Sequence, residues 1–128
     1  MTLALRAAIF LGGLLLAFLG FGFLTDPVGS GADFGVSAQG AHGLTSIRAD
    51  FTSFFMVSAG CLIWGAVAQR RDPLIIGALL MLVTLAVRLV ALAIDGSFEG
   101  YIAPMVVELV IGALGLIGAK TLPAKARS

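Results

Sequence analysis

The chain is short of almost everything that carries common protein chemistry. Its 128 residues include one cysteine, one histidine, one tryptophan, one tyrosine and four prolines, and only 12% of them are charged. With Cys61 alone, no disulfide can close within the chain, and the redox compartment is left open. With His42 as the only imidazole, a transition-metal site of the usual ligand set and a haem held by paired histidines are both excluded, so no cofactor is expected. No Gly-x-Gly-x-x-Gly turn, Walker lysine motif or Gly-x-Ser-x-Gly elbow occurs, which removes sequence support for nucleotide binding and for serine acyl hydrolysis. Asp33-Phe34-Gly35 has the form of a kinase magnesium triplet, but no other kinase element accompanies it. A net charge of +1 without a long basic run argues against a nucleic-acid partner.

Apolar surface is what the chain has instead. Hydrophobic residues make up 59% and the mean hydropathy is +1.09, whereas soluble domains carry about a quarter charged residues. Four apolar stretches, at residues 7–24, 47–68, 74–94 and 101–119, each approach the ~20 residues that cross ~30 Å of hydrocarbon as a helix. The fold expected is all-α, a single integral membrane domain over residues 1–128, built as an antiparallel bundle of four transmembrane helices. The breaks carry suitable punctuation: Asp26-Pro27, Thr45 or Ser46 as a cap, Arg70-Arg71-Asp72-Pro73, and Asp95-Gly96.

The first stretch follows Arg6 in the manner of a signal peptide, yet it is long for one and lacks a small-x-small cleavage site, so we read it as a retained helix. Arg6, Arg70, Arg71, Lys120, Lys125 and Arg127 all flank the spans on one side, while the opposite loops carry Asp26, Asp33, Asp95 and Glu99. The positive-inside rule then puts both termini in the cytoplasm. The connection 25–45, rich in glycine, is expected to be an external loop that is either a flexible linker or docked on the bundle mouth through Val28, Phe34 and Val36, with His42 in the loop.

Ionisable side chains at membrane depth cost about 2.5–3.5 kcal/mol on insertion scales and need partners. Arg48, Asp50, Arg88 and Glu108 lie inside or at the edge of the stretches. Symmetry about a turn near Ser97-Phe98 sets Arg88 level with Glu108, about 10 Å inside the outer boundary. A turn near Arg71-Asp72 sets Arg48 level with Asp95, with Asp50 slightly deeper. Together with Thr52 and Thr84, each one turn from an arginine, these residues form a candidate polar cluster or ligand pocket in the outer half of the bundle. Two readings compete. The charges either satisfy one another and fix helix register, or line a cavity that holds a ligand head group, conducts protons or does acid/base work.

Gly12, Gly13 and Gly20 in the first stretch, and Gly112, Gly115 and Gly118 in the last, supply faces for close helix packing. Phe18, Phe21, Phe23, Phe51, Phe54 and Phe55 surround the polar level, as core packing or as a vestibule for a lipid or isoprenoid tail. Tyr101 and Trp64 fit interfacial anchoring.

At Ile47-Arg48-Ala49, Ser58-Ala59-Gly60, Arg88 with Asp95-Gly96, and Glu108-Leu109, the chain resembles a bacterial family of small four-span proteins known as a domain of unknown function, DoxX-like in layout. The resemblance spans roughly residues 41–119, and departs from the family at Asp50-Phe51-Thr52-Ser53, where an aromatic followed by two glycines is usual. It implies that Arg48, Arg88, Asp95 and Glu108 are the positions the family keeps, and that the location is the bacterial inner membrane. DoxX-like proteins are linked both to quinone-coupled oxidation and to assembly of membrane complexes.

The leading expectation is therefore a non-enzymatic accessory, assembly or scaffold subunit of a larger membrane complex or a homo-oligomer. The alternative is a membrane enzyme or carrier for a lipid or quinone-like ligand, with Glu108 or Asp50 moving a proton and Arg48 or Arg88 holding an anionic or carbonyl group.

Overall fold

The computed structural model describes residues 1–122; Lys125 and Arg127, counted above in the basic flank, lie outside the described residues. Five helices follow in order: α1 (Leu3–Thr25), α2 (Pro27–Asp33), α3 (Gly40–Ala68), α4 (Arg71–Asp95) and α5 (Ile102–Lys120). Four of them, all but α2, are long and apolar enough to cross a membrane.

Local chemistry explains each boundary. Thr2 caps α1 by accepting from the Leu5 amide at 3.2 Å. The residue before a proline is driven out of helical conformation, so α1 stops at Asp26. Asp26 then caps α2, its carboxylate accepting from Gly29 N at 3.0 Å with Pro27 in the first turn. At the other end of α2, Val36 N donates to Gly31 O at 2.8 Å and Gly35 N to Ala32 O at 3.0 Å, with Gly35 at φ 71°. This is a Schellman closure, and only glycine takes that left-handed position without strain. Pro73 and Pro104 each sit third in their helices, where the missing N–H leaves no hydrogen bond unmade.

The connection expected to be an irregular loop over 25–45 is thus largely helical. The caps at Asp26 and Gly35 build α2, and α3 begins at Gly40, so His42 lies in the first turn of α3 rather than in a loop. Val28 is exposed, while Phe34 and Val36 pack against the core.

The buried residues of α1 are Ile9, Gly13, Leu16, Gly20 and Phe23, spaced alternately four and three apart. That is a coiled-coil seam with a repeat of about 3.5. The same spacing runs through Phe55, Ser58 or Ala59, Leu62 and Gly65 or Ala66 on α3, and through Glu108, Ile111 or Gly112, Gly115 and Gly118 or Ala119 on α5. Helix α1 packs chiefly on α3, α3 on α4 and α4 on α5, with a thinner contact between α5 and α1 that closes the ring.

Glycines let the backbones approach. Gly12 faces Ile111, Gly13 faces Ile63 and the Ala59 carbonyl, Gly20 faces Met56, Gly112 faces Leu82, Gly115 faces Ala78, and Gly118 faces Ile9. Gly65 and Gly77, not singled out from the sequence, are equally crowded. The outward faces are apolar throughout, with Leu11, Phe18, Val57, Trp64, Val83, Val87 and Leu109 among the exposed side chains. A contiguous apolar exterior of this kind is foreign to a monomer in water.

Two arginines clamp α1 to α3. Arg6 donates through Nε to Ala66 O at 2.9 Å and through Nη2 to Val67 O at 3.0 Å, and Arg48 donates through Nε to Leu24 O at 3.1 Å. Each guanidinium therefore serves orphan carbonyls at the C-terminal end of the neighbouring helix, where the helix dipole also favours a cation.

A matched pair of substitutions tests the glycine packing. A Cβ at Gly65 would lie 2.5 Å from Leu74 Cγ and 3.0 Å from its backbone nitrogen, whereas one at Gly60 meets nothing within 4 Å. In thermal unfolding of the detergent-solubilised protein, Gly65→Ala is expected to destabilise by about 1–3 kcal/mol. Gly60→Ala is expected to leave stability equal or raise it by up to about 1 kcal/mol.

Candidate functional site

The seam of α4 runs through Leu74, Gly77 or Ala78 and Met81, all buried, and continues to Thr84 and Arg88, which are only half-buried. No residue of α4 beyond Met81 is buried, so this half of the helix borders open clefts. Thr84 spends its hydroxyl proton inside its own helix, donating to Leu80 O at 2.7 Å. Opposite, Glu108 takes the first seam position of α5 and is one of two buried polar residues, with Ser58, among the described residues.

Arg88 Nε donates to Glu108 Oε1 at 2.5 Å, joining α4 to α5 in a charge-assisted contact. The arginine side chain is 29% exposed and the glutamate 8%. The second carboxylate oxygen of Glu108, Oε2, is buried without a hydrogen-bond partner, as is Thr52 Oγ1. Only Nε of Arg88 donates among the described residues, which leaves both Nη groups free to serve an acceptor in the clefts.

Arg88 borders four cavities. One, of about 680 Å³, lies under the end of α2 and is lined by Asp33, Phe34, Gly35, Phe98, Glu99 and Pro104 among others. A second, of about 210 Å³, runs along the α4–α5 turn past Asp95, Phe98 and Tyr101. The third, of about 280 Å³, is aromatic, with Phe34, Phe51, Phe54 and Phe55 beside Asp50 and Thr84. The fourth, of about 80 Å³, is likewise an open cleft and is lined by Leu16, Met81, Phe54, Phe55 and Glu108 among others. Phe34 borders three of these four and is held by ring contacts with Phe23, Phe51 and Phe55.

Of the residues singled out from the sequence, Arg88 and Glu108 touch, and Asp50, Thr84 and Asp95 border the same clefts as Arg88. Arg48 does not join them. It is exposed, turned to the Leu24 carbonyl at the end of α1, and forms no ion pair with Asp95, which is exposed at the end of α4. The reason is packing order: α3 lies against α1, and an orphan carbonyl there competes for the guanidinium. Thr52 lines none of the four cavities.

Sequence reasoning named Phe34 only as a residue that could dock the 25–45 connection on the bundle, not as a wall of the clefts, and did not count Phe98 among the site residues. The signal for Phe34 was present: glycine directly after a short polar helix marks a Schellman stop, which fixes the preceding side chain. No group of three or more His, Cys, Asp and Glu side chains among the described residues is placed to hold a metal ion. Compared with protein-family models, with curated proteins and with solved structures, the chain matches none.

The two arginines separate cleanly on substitution. Arg88→Met leaves Glu108 buried and unpaired, and is expected to cost about 3–5 kcal/mol. Arg48→Met removes one exposed carbonyl cap and is expected to cost no more than about 1 kcal/mol. Thermal unfolding in one detergent, run side by side, reads both.

Proposed function

We propose that this is a multi-pass protein of the bacterial inner membrane, an antiparallel bundle with both termini in the cytoplasm, that binds an amphiphilic small molecule at the Arg88–Glu108 level. The observation that carries the reading is the half-satisfied pair. Glu108 is held through one oxygen and bare at the other, beside a void whose walls Arg88 and Phe34 share with the outer clefts. A pair kept for register alone has no need of an orphan oxygen or of open space around its arginine.

Polar groups at the head of an aromatic-lined cleft suit a molecule with one polar end and one apolar end, drawn from the outer leaflet. Arg88 orients the head group and Glu108 offers it an acceptor; the rings of Phe51, Phe54 and Phe55 shield the remainder from water. Binding or carriage, without bond-making, is the function this supports. Membrane placement is supported by the four apolar helices and by the clustering of Arg6, Arg70, Arg71 and Lys120 at the end remote from Asp33, Asp95 and Glu99. The location in bacteria is supported by the resemblance described above.

A second reading, an accessory or assembly subunit of a larger complex or a homo-oligomer, has one observation in its favour. Only 22–33% of each spanning helix's apolar window is buried within the chain, which leaves wide faces for other helices as well as for lipid.

One experiment weighs both. The protein is extracted in mild detergent and its co-purifying molecules are identified by mass spectrometry, alongside the Arg88→Met, Glu108→Leu double variant. A folded double variant that loses a small amphiphile present in the parent is the result expected. A double variant that fails to fold makes the pair structural, and a stoichiometric partner polypeptide in place of a small molecule favours the second reading. Topology is checked separately in a Cys61→Ala background: Ser97→Cys is expected to react with a membrane-impermeant maleimide on intact cells, and Gln69→Cys only after permeabilisation.

A further inference from the structure

The largest of the four clefts is lined by charges of both signs, and the signs are separated by depth. Its one cation is Arg88 and its two anions are Asp33 and Glu99, with the rings of Phe34 and Phe98 between them. Arg88 sits two helical turns, about 10 Å, short of Asp95 at the end of α4, and its side chain is only 29% exposed. Asp33 closes α2 and Glu99 lies in the turn between α4 and α5, and both are exposed. A single cleft therefore runs from a guanidinium at its inner end to two carboxylates at its rim.

Neither end is satisfied within the chain. Arg88 spends Nε on Glu108, and its Nη groups donate to nothing among the described residues. Asp33 and Glu99 accept no side-chain hydrogen bond and enter no salt bridge among the described residues. Guanidinium N–H groups match the oxygens of a phosphate, whereas a carboxylate rim calls for a group that brings both N–H donors and positive charge.

The order of the charges selects among amphiphiles. A lipophilic amine carries its cation next to its tail, which brings like charge to the level of Arg88. A fatty acid places its carboxylate there correctly but has nothing to offer the rim. A phosphoethanolamine head group has the sequence required, with the phosphate nearer the tail and the primary ammonium beyond it. Its phosphate meets the guanidinium, its N–H groups meet the carboxylates, and the ring faces of Phe34 and Phe98 suit the cation between. Choline keeps this order without N–H donors, and a glycerol head group lacks the positive charge. Resting on the reading that this level binds an amphiphile, we propose that the ligand class is a phospholipid with a phosphoethanolamine head group, its phosphate on the free Nη groups of Arg88 and its ammonium at the rim of Asp33 and Glu99.

Three lysophospholipids with one lauroyl tail and phosphoethanolamine, phosphocholine or phosphoglycerol heads test the assignment, each titrated calorimetrically into the full chain in maltoside micelles with protein-free micelles subtracted. Saturable binding of the ethanolamine lipid, tighter than the other two by at least about tenfold, is expected. The Asp33→Asn, Glu99→Gln double variant, at two exposed positions, is expected to abolish that preference, while Asp95→Asn, which borders another cleft, preserves it. Arg88→Lys keeps a cation beside Glu108 but lacks the second set of donors, and is expected to weaken all three lipids alike by about tenfold. Equal binding of the choline or glycerol lipid, or a preference that survives the double variant, overturns the ethanolamine assignment while leaving an amphiphile site in place. Unchanged binding to a folded Arg88→Lys protein overturns the phosphate contact. Free phosphoethanolamine bound as tightly as the lipid overturns the lipid source in favour of a soluble zwitterion. Saturable binding of none of these probes overturns the amphiphile reading itself.

Discussion

The structure depends on a packing seam in which small residues bring helices into backbone contact, and on the point where that seam stops being apolar. Along α1, α3 and α5 the buried positions repeat at coiled-coil spacing, and Gly13, Gly65, Gly112 and Gly118 leave no room for a side chain. The seam of α4 is filled through Met81 and then passes to Thr84 and Arg88, as that of α5 begins with Glu108. Two charges stand where the pattern calls for leucine. Packing fails around them, and the cavities gather there.

The failure is local because the aromatic residues contain it. Phe23, Phe34, Phe51 and Phe55 form a connected set of ring contacts, with centroids 4.6–6.2 Å apart, beneath the end of α2. They fill the junction of α1, α2 and α3, and the clefts lie beside them along α4 and its turn into α5. Polar chemistry and open volume are thereby concentrated around one guanidinium, which is why the functional reading rests on so few residues.

How much was legible in the sequence follows from which interactions are short in range. Helix existence rests on length and hydropathy, so all four long helices could be placed within a few residues, apart from the start of α3. The helix α2 was hidden because its formation depends on Asp26 and Gly35 acting as caps at either end of seven residues, too few for periodicity to register. Equal distance from a turn sets depth but not direction. It left open which neighbour a side chain at a given depth faces, and Arg48 turns toward α1 rather than toward the end of α4. The voids were beyond sequence reasoning altogether, since empty space is a property of packing among four helices at once.

The reciprocal arginines have a mechanical consequence. Because Arg6 grips the last carbonyls of α3 and Arg48 grips the end of α1, any axial slip of one helix past the other would have to break both anchors, and they lie at opposite ends of the pair. A slip of α1 along α3 in either direction thus loses contacts at both ends at once. The α1–α3 pair is thereby pinned at both ends, while α5 meets α1 along a much thinner border.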